Sequence, residues 1–237
     1  VRSAKGKGAR VLSIVNVMGS TLTRLSDETI MMNSGPEICV LSTKTYTAQL
    51  AILLMLAYST AGKLVEGKKL ISETAEKLGR IIEKVDRSAK EIAEKIYTKR
   101  DCYLIGRDLA FPSALEGALK AKEVSYIHAE GFAGAELKHG TIALIEKGVP
   151  VIVLSTLRTK SQILSNAMEV KSRGAMLIGI GSENNELFDD FIEVPDCGDA
   201  DPIAMIIPMQ LLAYYLAVKK GCDVDRPRNL SKSITVR

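Results

Sequence analysis

The chain has 237 residues, 46% of them hydrophobic and 25% charged, which is enough apolar material for one large or two small packed domains. Glycine (18) and proline (7) stand at ordinary levels, excluding disordered, collagen-like and low-complexity classes. Lys plus Arg (32) exceed Asp plus Glu (28) by four, a surplus too small and scattered to make the basic stripe that nucleic acid demands.

In chain order, short β-branched runs alternate with helical patterns, as buried parallel strands joined by crossover helices do. Residues 11–15 and 38–41 are predicted strands, and the second flows through Ser42 and Thr43 into an apolar helix that includes residues 49–58. Between residues 67 and 97, Leu70, Leu78, Ile81, Ile82, Val85, Ile92 and Ile96 recur at three-to-four spacing among Lys and Glu. This predicts an amphipathic helical segment with room for one break, joining two α/β units. Further strands are predicted at 102–105, 151–154, 176–180 and 191–194.

The longest apolar run, residues 51–57, falls far short of the roughly 20 residues that span a bilayer, so no membrane helix is expected. Cys39, Cys102, Cys197 and Cys222 lie far apart with no CxxC or His-paired spacing. They are read as buried free thiols of a reducing cytoplasm, with neither disulfide nor zinc expected. The chain starts at Val1 without an apolar leader or initiator Met, so it is read as a piece of something longer.

An internal repeat supports two units. Residues 7–14 (KGARVLSI) resemble residues 173–180 (RGAMLIGI), and Leu56-Ala57-Tyr58 resembles Leu212-Ala213-Tyr214. Two predicted strands, at 102 and 151, precede the repeated element in the second unit and none precedes it in the first. The first unit is therefore expected to lack its opening strands, with exposed sheet edges as the consequence.

Three places can carry chemistry. Ser42 and Thr43 end a predicted strand where a helix begins, either as an ordinary N-cap or as hydroxyl contacts to a sugar or phosphate. On the helix of residues 114–123, Glu116, Lys120 and Glu123 fall within about 60° of one another at 100° per residue. They form either an ordinary i,i+4 ion pair on a solvated face or a carboxylate made into a general base by its apolar flanks and the lysine. His128 and His139 are the only histidines. His139, followed by Gly140, is expected in an accessible loop, and His128 is assigned to packing or hydrogen bonding; neither has metal-ligand spacing. The tail, residues 223–237, reads equally as a frayed end or as an arm carrying Lys232 into a pocket.

Four motifs, ALEGALKAKE (114–123), SYIHAE (125–130), ELKHG (136–140) and DRPRNLSKS (225–233), together resemble the isomerase half of the glutamine–fructose-6-phosphate transaminases (isomerising). These glucosamine-6-phosphate synthases are built from two sugar-isomerase (SIS) domains, and the resemblance runs over essentially the whole chain. It implies an α/β fold of two SIS-type units with parallel sheets flanked by helices, the first incomplete at its N-terminus. The units are expected at residues 1–66 and 98–237, with a helical linker at 67–97. Glu123 matches the base that moves a proton between C1 and C2, Lys120 its helper, and His139 the ring-opening group. Lys232 matches the lysine that contacts the open-chain sugar and forms an imine with the ketose. Val40, Ser42 and Ser231 match sugar contacts, and Glu116 is placed with them.

The resemblance further implies a cytoplasmic homodimer, with His139 entering the neighbouring subunit's site, and no cofactor or metal. Fructose 6-phosphate, glucose 6-phosphate and glucosamine 6-phosphate are the expected ligands. The departures are a missing Ser/Thr-rich phosphate loop, a missing glutaminase domain, and Ala135 and Thr141 where relatives usually carry Gly and Pro. Two other readings are a SIS deaminase or plain sugar-phosphate isomerase, and a non-catalytic SIS module that senses sugar phosphates.

Overall fold

A computed structural model describes residues 1–231. After a short helix α1 (Arg2–Gly6), strand β1 (Leu12–Val15), helix α2 (Thr21–Leu25) and strand β2 (Glu28–Met31) form a crossover whose two strands pair in parallel. Ser13 and Thr29 hydroxyls meet across this pair at 3.2 Å. Helix α3 (Lys44–Thr60) follows, apolar almost all round yet with only Thr45 fully buried.

Helix α4 (Leu64–Ile96) is a single unbroken rod of 33 residues. It contains no proline, and Leu78, Val85, Ala89, Ile92 and Ile96 put one continuous buried stripe along it. The break that the sequence allowed does not occur: the rod packs along the helix at Asp201–Lys219 and also on α3. Gly67 marks where α3 crosses it, since a methyl group there would lie 2.7 Å from Tyr58 Cβ. Lys84–Glu193, Lys95–Asp190 and Lys219–Glu94 ion pairs, each 2.5 Å, strap α4 to the rest. Such exposed pairs contribute about 0–1 kcal/mol each and set register more than stability.

The second sheet has five parallel strands in the order β4-β3-β5-β6-β7. Its elements in chain order are β3 (Asp101–Gly106), α5 (Ala110–Ser125), β4 (His128–Ala133), β5 (Pro150–Ser155), α6 (Lys160–Lys171), β6 (Met176–Gly181), β7 (Asp190–Glu193) and α7 (Asp201–Lys219). Alternate strand residues serve two cores. Leu104, Ile152, Leu154, Ile178 and Ile180 pack beneath α4, α5 and α7, while Tyr103, Ile105, Val151, Val153 and Leu177 pack beneath α6. Helices α5 and α7 approach closely at Gly117, where a methyl group would stand 2.2 Å from Met209 Sδ. Helix α7 is long and apolar enough to cross a bilayer by length and composition, but 56% of that stretch is buried in the protein. The four thiols are free; Cys102 and Cys197 are buried, whereas Cys39 and Cys222 are only half-buried.

The structure corrects the strand reading in three places. Residues 38–41 are loop, not strand: Pro36 precedes them without an N–H to donate, and Ile38 is 82% exposed. The partner of β1 is instead Glu28–Met31, whose mixed composition hid it. Likewise β4 begins at His128, so three strands rather than two precede the repeated element in the second sheet. His128 does not pack; it is exposed and hydrogen-bonded to Asp101 Oδ1 at 2.8 Å.

Asp201, at the start of α7, is buried and its Oδ1 accepts from Cys197 N at 2.8 Å. Burial pushes its carboxyl above the ordinary value of 3.8, and Asp196 and Asp199 push the same way against the Cys197 hydrogen bond. A raised carboxyl binds its proton better in the fold than in the unfolded chain, so this group's contribution falls as pH rises above about 4. Asp201→Asn keeps the acceptor without the charge. Its Tm should exceed the parent's by roughly 2 °C at pH 7 and not at pH 4, in scans of both proteins.

Candidate functional site

The site forms where the loop before α3 meets the second half of α5. Ser42 takes a left-handed backbone, φ 59°, a conformation that non-glycine residues hold only when their surroundings impose it. Its hydroxyl bonds the Thr45 hydroxyl. Thr43, the residue preceding α3, makes no side-chain cap. The cap comes from Glu37, whose carboxylate accepts from Thr45 N (3.0 Å), Thr45 Oγ1 (2.7 Å) and Thr43 Oγ1 (3.3 Å). Burial pushes the Glu37 carboxyl up, but these hydrogen bonds outweigh it and hold the group below its ordinary value.

Across from this loop, Glu116, Lys120 and Glu123 converge as their spacing indicated. Lys120 Nζ lies 3.1 Å from Glu116 Oε1 and 2.9 Å from Glu123 Oε2, and donates to the Leu41 carbonyl. The Leu41 carbonyl accepts one of the ammonium's protons, and the two carboxylates stand at ion-pair distance. The Lys120 side chain is 3% exposed and those of Glu116 and Glu123 are 17% and 19%. This is not a solvated helix face: the apolar flanks and the loop have closed over it. Glu123 Oε2 is itself buried, close to the ammonium but not aligned for a hydrogen bond.

A cavity of about 200 Å³ opens beside the lysine, bounded by Leu41, Thr43, Lys120, Gln210, Tyr214 and Asp225 among others. It is smaller than the ~300 Å³ at which ligand pockets usually begin. Gln210 donates to the Thr43 carbonyl at 3.3 Å, and Cys39 Sγ to the Val224 carbonyl at 2.8 Å, tying the loop to α7 and to the tail. The tail is also held at Tyr126, whose hydroxyl accepts from Arg228 N at 2.8 Å beneath the Arg228 guanidinium.

A match to the family model described as "SIS domain" covers residues 1–59 and 95–220. The chain belongs to the SIS domain family. Over its whole length this SIS chain is 48% identical, across 246 residues, to the glutamine–fructose-6-phosphate aminotransferase (isomerizing) of Pyrococcus horikoshii, and spans 41% of that relative. The chain thus spans about two fifths of the length of the curated relatives it matches. Among solved structures, the C-terminal domain of glucosamine-fructose-6-phosphate aminotransferase from Francisella tularensis superposes with TM-score 0.83 at 33% identity, covering 95% of this chain and 67% of that one. Glucosamine-6-phosphate deaminase from Thermotoga maritima superposes with TM-score 0.77 at 25% identity, covering 97% and 68%. The chain therefore matches the C-terminal isomerase domain of the aminotransferases, an α/β fold of parallel sheets flanked by helices.

Within this SIS chain the predicted site residues do not all meet. Val40 and Ser42 share the loop with Leu41, and Ser231 is exposed at the end of the described residues. Lys232 lies outside the described residues. His139 ends a 3-10 turn (Glu136–His139), is exposed, and is followed by Gly140 at φ 146°. It lies beyond the carboxyl end of β4, whereas Glu123, in the last turn of α5, lies near the amino end of that strand. Six residues of strand separate the two levels, roughly 20 Å. Sequence reasoning missed Glu37 and the Leu41 carbonyl. A main-chain oxygen carries no sequence signal, and Glu37 reaches Thr45 only through the turn at Ser42.

Proposed function

We propose that this chain is the isomerase part of an enzyme that converts fructose 6-phosphate and ammonia to glucosamine 6-phosphate. The observation that carries this reading is the buried Lys120 held between Glu116 and Glu123 on the wall of a cavity. Aldose–ketose isomerisation removes a proton beside a carbonyl and returns it to the neighbouring carbon. That requires a carboxylate at the carbon and a cation near the oxygen that becomes negative. Glu123 takes the role of base and Lys120 that of its electrostatic partner. Val40, Ser42 and Ser231 contact the sugar, and Lys232 forms an imine with the open-chain ketose, which needs no bound cofactor.

His139, a strand length from Glu123 in its own chain, opens the sugar ring in the site of a second copy, so the working form is a homodimer. The chain divides into SIS units at 1–66 and 98–237 around a linker at 67–97. Residues 1–66 are the C-terminal part of the first unit. Supporting this is the repeated order of parallel strand pair and apolar helix, β1-β2-α3 and β6-β7-α7. The enzyme works in the cytoplasm on soluble sugar phosphates.

The test is interconversion of fructose 6-phosphate and glucose 6-phosphate by the complete enzyme and by the 237-residue chain. The complete enzyme should be active and the short chain weak. Comparable rates would overturn the missing-loop argument, and no isomerisation by either would overturn the function. Borohydride treatment with fructose 6-phosphate should trap an adduct that Lys232→Ala abolishes; an adduct mapped to Lys120 would reverse those two roles. The likeness to a deaminase favours a second reading, in which ammonia is released from glucosamine 6-phosphate without a glutamine-hydrolysing part. Glutamine-independent release of ammonia as the main reaction would establish it instead.

A further inference from the structure

The loop that carries Val40 and Ser42 has no strand to hold it, and its backbone is turned left-handed at a serine. What holds it is Glu37. Its Oε2 accepts both the amide and the hydroxyl of Thr45, and its Oε1 accepts the hydroxyl of Thr43. These bonds bracket Ser42, whose own hydroxyl is spent on Thr45. Glu37 thus closes the chain from residue 37 to residue 45 into one loop, within which the Leu41 carbonyl meets Lys120 Nζ.

Of the three groups named around Lys120, that carbonyl alone accepts a hydrogen bond and does not come from α5. Glu116 and Glu123 lie one turn to either side of the lysine on the same helix and by themselves leave the ammonium free to lean toward either. The Leu41 oxygen, 79 residues earlier in the chain, supplies the third point that fixes it. We propose that Glu37 is a positioning residue, clamping the loop so that the Leu41 carbonyl pins Lys120 and, through it, sets the place of Glu123. The inference rests on the proposed isomerase reading and deepens it, because Glu37 itself does not line the cavity.

A double-mutant cycle in the complete isomerase separates this role from a merely structural one. Glu37→Ala should lower kcat for fructose 6-phosphate isomerisation about 10–100-fold, the scale of a misplacement near 1 Å. In a Lys120→Met background the same substitution should cost less than about threefold, because the group it positions is gone. Glu37→Gln, which keeps an oxygen for Thr45, should recover most of the parental kcat. An equal loss in both backgrounds, or parental kcat in Glu37→Ala, would overturn the proposal. If Glu37→Ala does not fold, the same cycle with Thr45→Val decides: a loss confined to the Lys120 background supports the clamp, and an equal or absent loss overturns it. Absence of isomerisation in the parent enzyme would instead mark failure of the isomerase reading.

Discussion

Glu123→Gln is expected to lower isomerisation by the complete enzyme by roughly 10²–10⁴, the span of a lost general base, or about 3–5 kcal/mol of transition-state stabilisation. The amide has the shape of the carboxylate but does not take up a proton at neutral pH. Its surroundings favour a clean reading, because Glu123 Oε2 is buried and its near neighbour is Lys120 at 2.9 Å. Sugar phosphate should still bind, so kcat falls while KM moves little. Loss of binding together with rate would instead make Glu123 a substrate contact, and a parental rate would remove it from the chemistry. His139→Ala should behave differently, slowing turnover of the cyclic sugar more than that of an open-chain analogue that needs no ring opening.

Lys120→Met is the substitution expected to cost the fold most. Lys120 is 3% exposed and is the common partner of two carboxylates and one carbonyl. Methionine fills a similar volume, so the loss is electrostatic. It leaves Glu116 and Glu123, mostly covered, facing one another without a cation. Removing one partner of a buried ion pair costs about 3–5 kcal/mol, which in a chain of this size lowers Tm by roughly 10 °C. Thermal unfolding scans of parent and variant measure it. A Tm change below about 2 °C would show that water reaches both carboxylates well enough to replace the lysine. The variant should also isomerise more slowly, with a kcat that stays measurable, since the cation beside the base is gone while Glu123 remains.

The strands legible in the sequence are the three inner ones and, at two edges, β1 and β7, which the runs at 11–15 and 191–194 located. Residues 102–105, 151–154 and 176–180 lie in β3, β5 and β6, covered on both faces by helices, so every position is apolar and the run stands out. Strands β2 and β4 were not legible. Glu28 and Thr29 in one, and His128, Glu130 and Gly131 in the other, break the apolar pattern that the inner strands keep. The run at 38–41 misled for the opposite reason: it is β-branched and apolar, yet its neighbours Pro36 and Ser42 turn the chain away from any strand partner.

By itself the sequence determined what depends on spacing along one element: the amphipathic stripe of α4, the inner strands, and the convergence of Glu116, Lys120 and Glu123 on one face of α5. Helical and strand periods are local, so residue identities and intervals are enough to place such groups. Only the tertiary structure decided that this face is buried, that the Leu41 carbonyl accepts from Lys120, that Glu37 caps α3, and that His139 stands at the far end of the sheet from Glu123. Each of these depends on segments that meet only after folding, such as the loop before α3 against α5 and α7. Burial, which takes away the water that screens an ordinary surface ion pair, is a sum over all the neighbours, and no interval in the sequence records it.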